Sequence, residues 1–139
     1  MLAIMPSPRA TMTVAASRCP CHSGDTFDAC CAPLIAGAPA PTAERLMRSR
    51  YTAFVLQDAE HLLRTWHPST RPHTLELEPH LEWRRLVIVD KAAGGPFDRD
   101  GIVEFEAFWR QRGERGSLRE RSRFVREDRT WFYVDGEVR

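Results

Sequence analysis

All four cysteines of this 139-residue chain fall within thirteen positions, Cys19 to Cys31, in the string CPCHSGDTFDACC. Thiols spaced so tightly force the local chain into one small loop, whatever they bind. Three chemistries compete. Disulfides belong to oxidising compartments, and no export signal is legible here. Free buried cysteines would have to cluster without a cause. A soft dication is the third reading, because four thiolates close a tetrahedral zinc site. The spacing favours it. Cys19 and Cys21 flank Pro20, Ser23-Gly24 can reverse the chain through a positive φ, and Phe27 supplies an apolar plug before Cys30 and Cys31 return. His22 is expected to be exposed or to donate a hydrogen bond beside the site rather than to bind metal.

Cys19, Cys21, Ser23, Gly24, Cys30 and Cys31 resemble the SEC-C zinc motif, with His22 where that motif usually has Gly, and Asp25 and Asp28 in a loop that is often Lys-rich. The resemblance implies a structural zinc held by Cys19, Cys21, Cys30 and Cys31, and a knuckle (residues 18–32) that presents a surface to a protein partner.

Residues 1–17 read as a disordered leader, with Met5 or Met12 as alternative starts, because Pro6, Pro8 and Arg9 break the apolar stretch. No apolar run approaches the roughly 18 residues a membrane span needs, so a cytoplasmic protein without a membrane partner is expected. Residues 33–41, rich in Pro and Ala, read as a linker. Such a tether would separate two cores, so that metal loss unfolds residues 19–31 and leaves the rest intact.

A helix is expected from Thr42, its cap, to about Leu56, with Leu46, Met47, Tyr51, Phe54 and Val55 on one stripe. Arg50 falls inside that stripe, where it must pair with a carboxylate or line a polar cavity; pairing is the simpler expectation. A second helix, capped by Asp58, carries Leu62, Leu63 and Trp66 and stops at Pro68, with His67 at its C-terminal end. From Glu82 the period changes to two. Strands are expected at Trp83–Lys91, Gly101–Arg112, Ser117–Glu127 and Trp131–Asp135, with Phe124 and Phe132 facing the helices. Short turns between them imply an antiparallel meander packed on one face by helices.

Twenty basic and nineteen acidic residues give no global attraction to nucleic acid. Locally, eight Arg stand against four acids between Arg110 and Arg129. That strand reads either as a charge-guarded edge or as an Arg-lined cavity.

The segments LMRSRYTAFVLQDAEHLLRTWHPSTRP (46–72) and ERSRFVREDRTWFYVDG (120–136) resemble the bacterial YchJ-type family. The resemblance implies an α+β fold, a nuclear-transport-factor-2-like (NTF2-like) cone over residues 42–139 with a cavity at its mouth. Three functions follow as expectations. The leading one is a zinc-binding adaptor, since four thiolates saturate the metal and no catalytic motif is present. A pocket for an anionic or planar ligand is the second, with Arg50, Trp66, His67, Trp109, Arg121, Arg123, Tyr133 and Asp135 as candidate lining. RNA binding through the Arg-rich hairpin is the third.

Overall fold

Helix formation after residue 42 follows from local chemistry. The computed structural model describes residues 17–139, so the expected leader lies outside the described residues except for Ser17. Thr42 accepts a hydrogen bond from the Arg45 N–H at 3.1 Å, and Glu44 stands in the first turn. The chain leaves the helix at Gln57, whose left-handed φ of 60° lets the Asp58 N–H return to the Ala53 carbonyl. Among the described residues there are three helices: α1 (Cys31–Ile35), α2 (Ala43–Leu56) and α3 (Ala59–Arg64). The last is shorter than the apolar spacing suggests. Beyond it, Trp66 bridges Tyr133 in parallel, the His67 N–H donates to the Tyr133 carbonyl and the Tyr133 N–H to Thr65. These bonds replace further helical ones and cover part of an edge that would otherwise be open.

Strands β1 (Glu82–Ala93), β2 (Asp100–Gln111), β3 (Glu114–Glu127) and β4 (Thr130–Val138) form one antiparallel sheet in the order β1-β2-β3-β4. The meander expected from the two-residue period is therefore present, with longer strands. Val103, Phe105 and Ala107 of β2 and Phe124 of β3 are buried toward the helices. From β4 the buried side chains are Trp131 and Val134, whereas Phe132 is half-buried and meets the His67 ring edge-on. Irregularities in β1 and between β3 and β4 bend the sheet, as extra residues in one strand do.

Where β1 turns into β2, the backbone comes unusually close to helix α2. The Ala43 N–H donates to the Gly94 carbonyl, and a Cβ added at Gly101 would lie 2.5 Å from the Gly94 Cα. Both partners are backbone, so nothing can swing aside. Gly101→Ala is expected to cost about 2–3 kcal/mol, the range of overpacked sites, measurable by urea denaturation; an unchanged midpoint would mean the hairpin base relaxes freely.

The knuckle does not hang on a free tether. Residues 33–41, read as a linker from composition, begin inside α1, and Leu34 and Ala40 are buried. Cys19, Cys21, Cys30 and Cys31 belong to the same contiguous core as Leu46, Tyr51, Phe124 and Trp131. The expectation of two separate cores is thus corrected: α2 is buried on opposite sides, one against the sheet and one against the cysteines.

Candidate functional site

The four Sγ atoms lie within 4.8 Å of one another, all on buried residues. Cys21 and Cys30 are 3.6 Å apart and Cys30 and Cys31 3.9 Å, far beyond the ~2.05 Å of a disulfide. The Cys19 N–H reaches the Asp25 carbonyl at 2.8 Å and Gly24 takes φ of 95°, so the reversal falls at the Ser23-Gly24 pair. Hydroxyls address the sulfurs: Thr52 Oγ1 donates to Cys31 Sγ at 3.3 Å, and Ser23 Oγ lies 3.1 Å from Cys30 Sγ. Arg48 donates to the Cys21 carbonyl at 2.7 Å and Arg45 to the Cys30 carbonyl at 3.3 Å. Two cations of α2 thereby flank a group of potential thiolates. His22 is exposed and its Nε2 sits 3.1 Å from the Arg84 carbonyl, fastening the knuckle to β1.

Hydrogen bonds from Cys19 and Cys31 hold the Cys21 thiol far below its usual range. Cys31 is pushed far up by its bonds to Cys19 and Cys21, and burial lifts Cys30 to about 11. Four buried cysteine sulfurs this close together could bind a metal ion.

On the other side of α2 the cone holds a partly open cavity of about 270 Å³. Its wall is largely aromatic, from Tyr51, Phe54, Trp66, Trp83, Phe105 and Tyr133, with Met47 and Leu118 between them. Arg50 and Glu120 are its charged residues. Arg50 is 4% exposed and makes no ion pair among the described residues. One terminal nitrogen donates to the Leu62 carbonyl at 2.8 Å and to Thr65 Oγ1 at 2.7 Å. The guanidinium carbon sits 4.4 Å from the Tyr133 ring centre and 5.2 Å from that of Trp66. The remaining three N–H donors have no partner among the described residues. Burial lowers the Arg50 pKa to about 10, which leaves it charged at neutral pH. The expected carboxylate partner is therefore replaced by two neutral acceptors and two ring faces.

Of the eight side chains proposed for the cavity, Arg50, Trp66 and Tyr133 line it. The other five are corrected. Arg121 and Arg123 are paired across the outer face, Arg121 with Glu104 and Asp90, and Arg123 with Asp135 through two bonds of 2.7 and 2.8 Å. Strand alternation then points Glu120, Ser122 and Phe124 inward, opposite Phe105, Val103 and Gly101. His67 lies past the end of α3, its ring held by Ser69 and Glu127. Trp109 lies over Gly116, beside Arg84 and Arg115.

Glu120 was missed because an acid between Arg119 and Arg121 in an Arg-rich strand looks like a solvated counter-charge. Its Oε2 accepts from Ser122 Oγ at 2.6 Å and from the Tyr133 hydroxyl at 3.4 Å. Its side chain lies against Gly136, where any Cβ would collide with it. Burial raises Tyr133 to about 12, so that hydroxyl stays a donor. The buried pair Ser49 and His61, 3.0 Å apart, was missed as well. The signal for it was the small residues Ser49, Thr52 and Ala53 on the face of α2 away from the apolar stripe, which allow a second close neighbour.

Helices laid over a bent antiparallel meander, a partly open cavity between them and a fused four-cysteine knuckle define an NTF2-like α+β cone with a cysteine knuckle. The chain belongs to the YchJ family: residues 42–136 match the model of the YchJ middle NTF2-like domain, and residues 17–33 match the SEC-C motif. A UPF0225 protein of Streptomyces coelicolor is 52% identical over 86% of this chain and 94% of its own, and one of Bordetella pertussis is 48% identical over 87% and 92%. Two solved structures share the fold. A SEC-C motif containing protein from Rhodopseudomonas palustris superposes with a TM-score of 0.75 at 32% identity, covering 86% of this chain and 96% of that one. One from Psychrobacter arcticus gives 0.74 at 26% identity, covering 92% and 86%.

Proposed function

We propose that this protein binds a small, largely aromatic, polar-headed molecule inside its cone, and that a zinc ion on Cys19, Cys21, Cys30 and Cys31 fixes the helix that forms one cavity wall. The observation that carries the reading is Arg50. A buried guanidinium beside a hollow, without a carboxylate partner, is costly for stability alone. It becomes useful where an incoming acceptor completes its hydrogen bonds.

For the metal, four sulfurs at ~2.3 Å from a tetrahedral centre stand about 3.8 Å from one another, and the distances of 3.6 and 3.9 Å bracket that value. All-sulfur donors favour zinc among the common soft ions, and such a set leaves no open position. Zinc would act there as a cross-link. Metal analysis of reduced protein is expected to give close to one zinc per chain.

The adaptor expectation rested partly on a knuckle free to swing; a knuckle bonded to α2 and β1 removes that support. Of the eight arginines from Arg110 to Arg129 on which the RNA expectation rested, Arg119, Arg121 and Arg123 each meet a carboxylate, whereas Arg110, Arg112, Arg115, Arg126 and Arg129 make no ion pair among the described residues. The cavity reading is preferred for Arg50 and not because that hairpin is neutralised.

Arg50→Met tests the reading. Glu120 shares the cavity with Arg50 but forms no ion pair with it and keeps its bonds from Ser122 and Tyr133, so the loss of stability should stay below about 2 kcal/mol rather than the 3–5 kcal/mol of a broken buried ion pair. Thermal stabilisation by small aromatic acids, screened as a panel, should disappear with it. A loss near 4 kcal/mol with ligand response intact would mean that Arg50 holds the fold and nothing else.

A further inference from the structure

We infer that the cavity recognises a zwitterionic head group on an aromatic body, which is to say an aromatic α-amino acid or a close analogue. This rests on the cavity reading and adds the class of ligand to it. The first observation is that the charges on the wall are balanced. Arg50 alone would select an anion, but Glu120 lines the same hollow. An anionic ligand without a cationic group would be buried beside an opposing carboxylate, and a cationic one beside an uncompensated guanidinium.

The second observation is that the two charges are neighbours. Tyr133 joins them: its ring face receives the guanidinium at 4.4 Å, and its hydroxyl donates to Glu120 at 3.4 Å. They form no ion pair with each other, so each keeps capacity for a ligand. Arg50 has three unused donors, and Glu120 has Oε1, with Ser122 and Tyr133 both on Oε2. A head group that fits must carry an acceptor and a donor close together. A carboxylate and an ammonium on one carbon satisfy this.

The third is the rest of the wall. Away from the Arg50–Tyr133–Glu120 group it offers Tyr51, Phe54, Trp83, Phe105, Met47 and Leu118, which present ring and aliphatic surface with the Tyr51 hydroxyl and one indole N–H as the polar exceptions. A volume of about 270 Å³ equals roughly nine waters at ~30 Å³ each, which suits a body of one ring with a short stem. Gly136 adds a positioning device, since it leaves the room in which the Glu120 side chain lies.

Three probes with one body separate the possibilities: phenylalanine, 3-phenylpropionate and phenethylamine, with indole as an uncharged control. Calorimetric titration of the zinc-loaded wild-type protein is expected to rank phenylalanine at least tenfold tighter than either singly charged probe. Glu120→Gln should remove the preference for phenylalanine over 3-phenylpropionate, and Arg50→Met the preference over phenethylamine. Circular dichroism and melting of both variants guard against misfolding, and Gly136→Ala, which displaces Glu120 while keeping every charge, should mimic Glu120→Gln. If 3-phenylpropionate binds wild type as tightly as phenylalanine, the zwitterion inference is overturned and the cavity reading stands. If indole binds and none of the charged probes improves on it, the zwitterion inference falls together with the polar-headed reading carried by Arg50. If none of the four binds, both fall.

Discussion

Stripping the proposed zinc from this protein is expected to weaken the whole cone, in one cooperative transition, and not to release a separate knuckle. Thr52 of α2 bonds Cys31, Arg48 and Arg45 bond carbonyls of the knuckle, and the four cysteines share a core with Phe124 and Trp131. A structural zinc contributes about 10–16 kcal/mol of apparent binding free energy in zinc-finger peptides. Since the cone has its own sheet and helices, only part of that should appear as lost stability, on the order of 5 kcal/mol. Cys21→Ser, at a fully buried position between Cys30 and the α2 contacts, should do the same without a chelator. The measurement is thermal melting followed by Trp fluorescence, since Trp66, Trp83 and Trp131 report on the cone and no Trp sits in the knuckle. A Trp melting curve unmoved by chelation, with zinc released, would sink the coupling and restore two independent units.

A loss of about 3 kcal/mol on acidification from pH 7 to pH 4 should be traceable to His61. The ring is 1% exposed on α3. Arg64, which can only donate, reaches Nδ1 at 2.8 Å, so Nδ1 is the acceptor and Nε2–H donates to Ser49 Oγ at 3.0 Å. A second proton would therefore have to sit against a guanidinium in a dry site. Burial, then Arg64 and Arg50, lower the His61 pKa from 6.5 to about 4, with Asp58 acting weakly in the opposite direction. The folded state refuses a proton that the unfolded chain accepts, so the contribution is complete above pH 6.5 and is lost as pH falls toward 4. At about 1.4 kcal/mol per unit, the loss reaches about 3 kcal/mol. Urea titrations of wild type and His61→Gln at both pH values isolate it. Carboxylates held low by arginines, such as Glu104 and Asp135, and any acid release of metal affect both proteins alike. Equal pH dependence in the two would show that His61 titrates normally.

Much of the architecture was legible because its signals are local. Thr42 and Asp58 cap helices through their own side chains, the period of two from Glu82 onward specifies strands, and tight turns leave an antiparallel meander as the simple connection. Four cysteines in thirteen residues have to meet, whatever the remainder of the chain does. Arg50 could be placed inside the cone because its neighbours on the wheel are unambiguous apolar residues.

What local pattern could not decide was the company each side chain keeps. In β3 both faces are polar, so hydrophobic alternation gives no phase, and a one-residue shift exchanges every side chain between faces. Only pairing with β2 settles it, putting Arg121 beside Glu104 outside and Glu120 beside Phe105 inside. Residues 33–41 have the composition of a tether, but Leu34 and Ala40 find a surface to bury against, and burial of apolar area overrides composition. Ser49, Thr52 and His61 look solvent-facing on any helical wheel that assumes one buried side. They are buried because α2 is covered twice, by the sheet and by elements distant in sequence, and no local pattern encodes a second covering layer. The helices, the strands and the metal-competent cluster were thus written in the residues themselves. Which charges face the cavity was settled by the folded chain, because that depends on pairing between strands and not on any one of them.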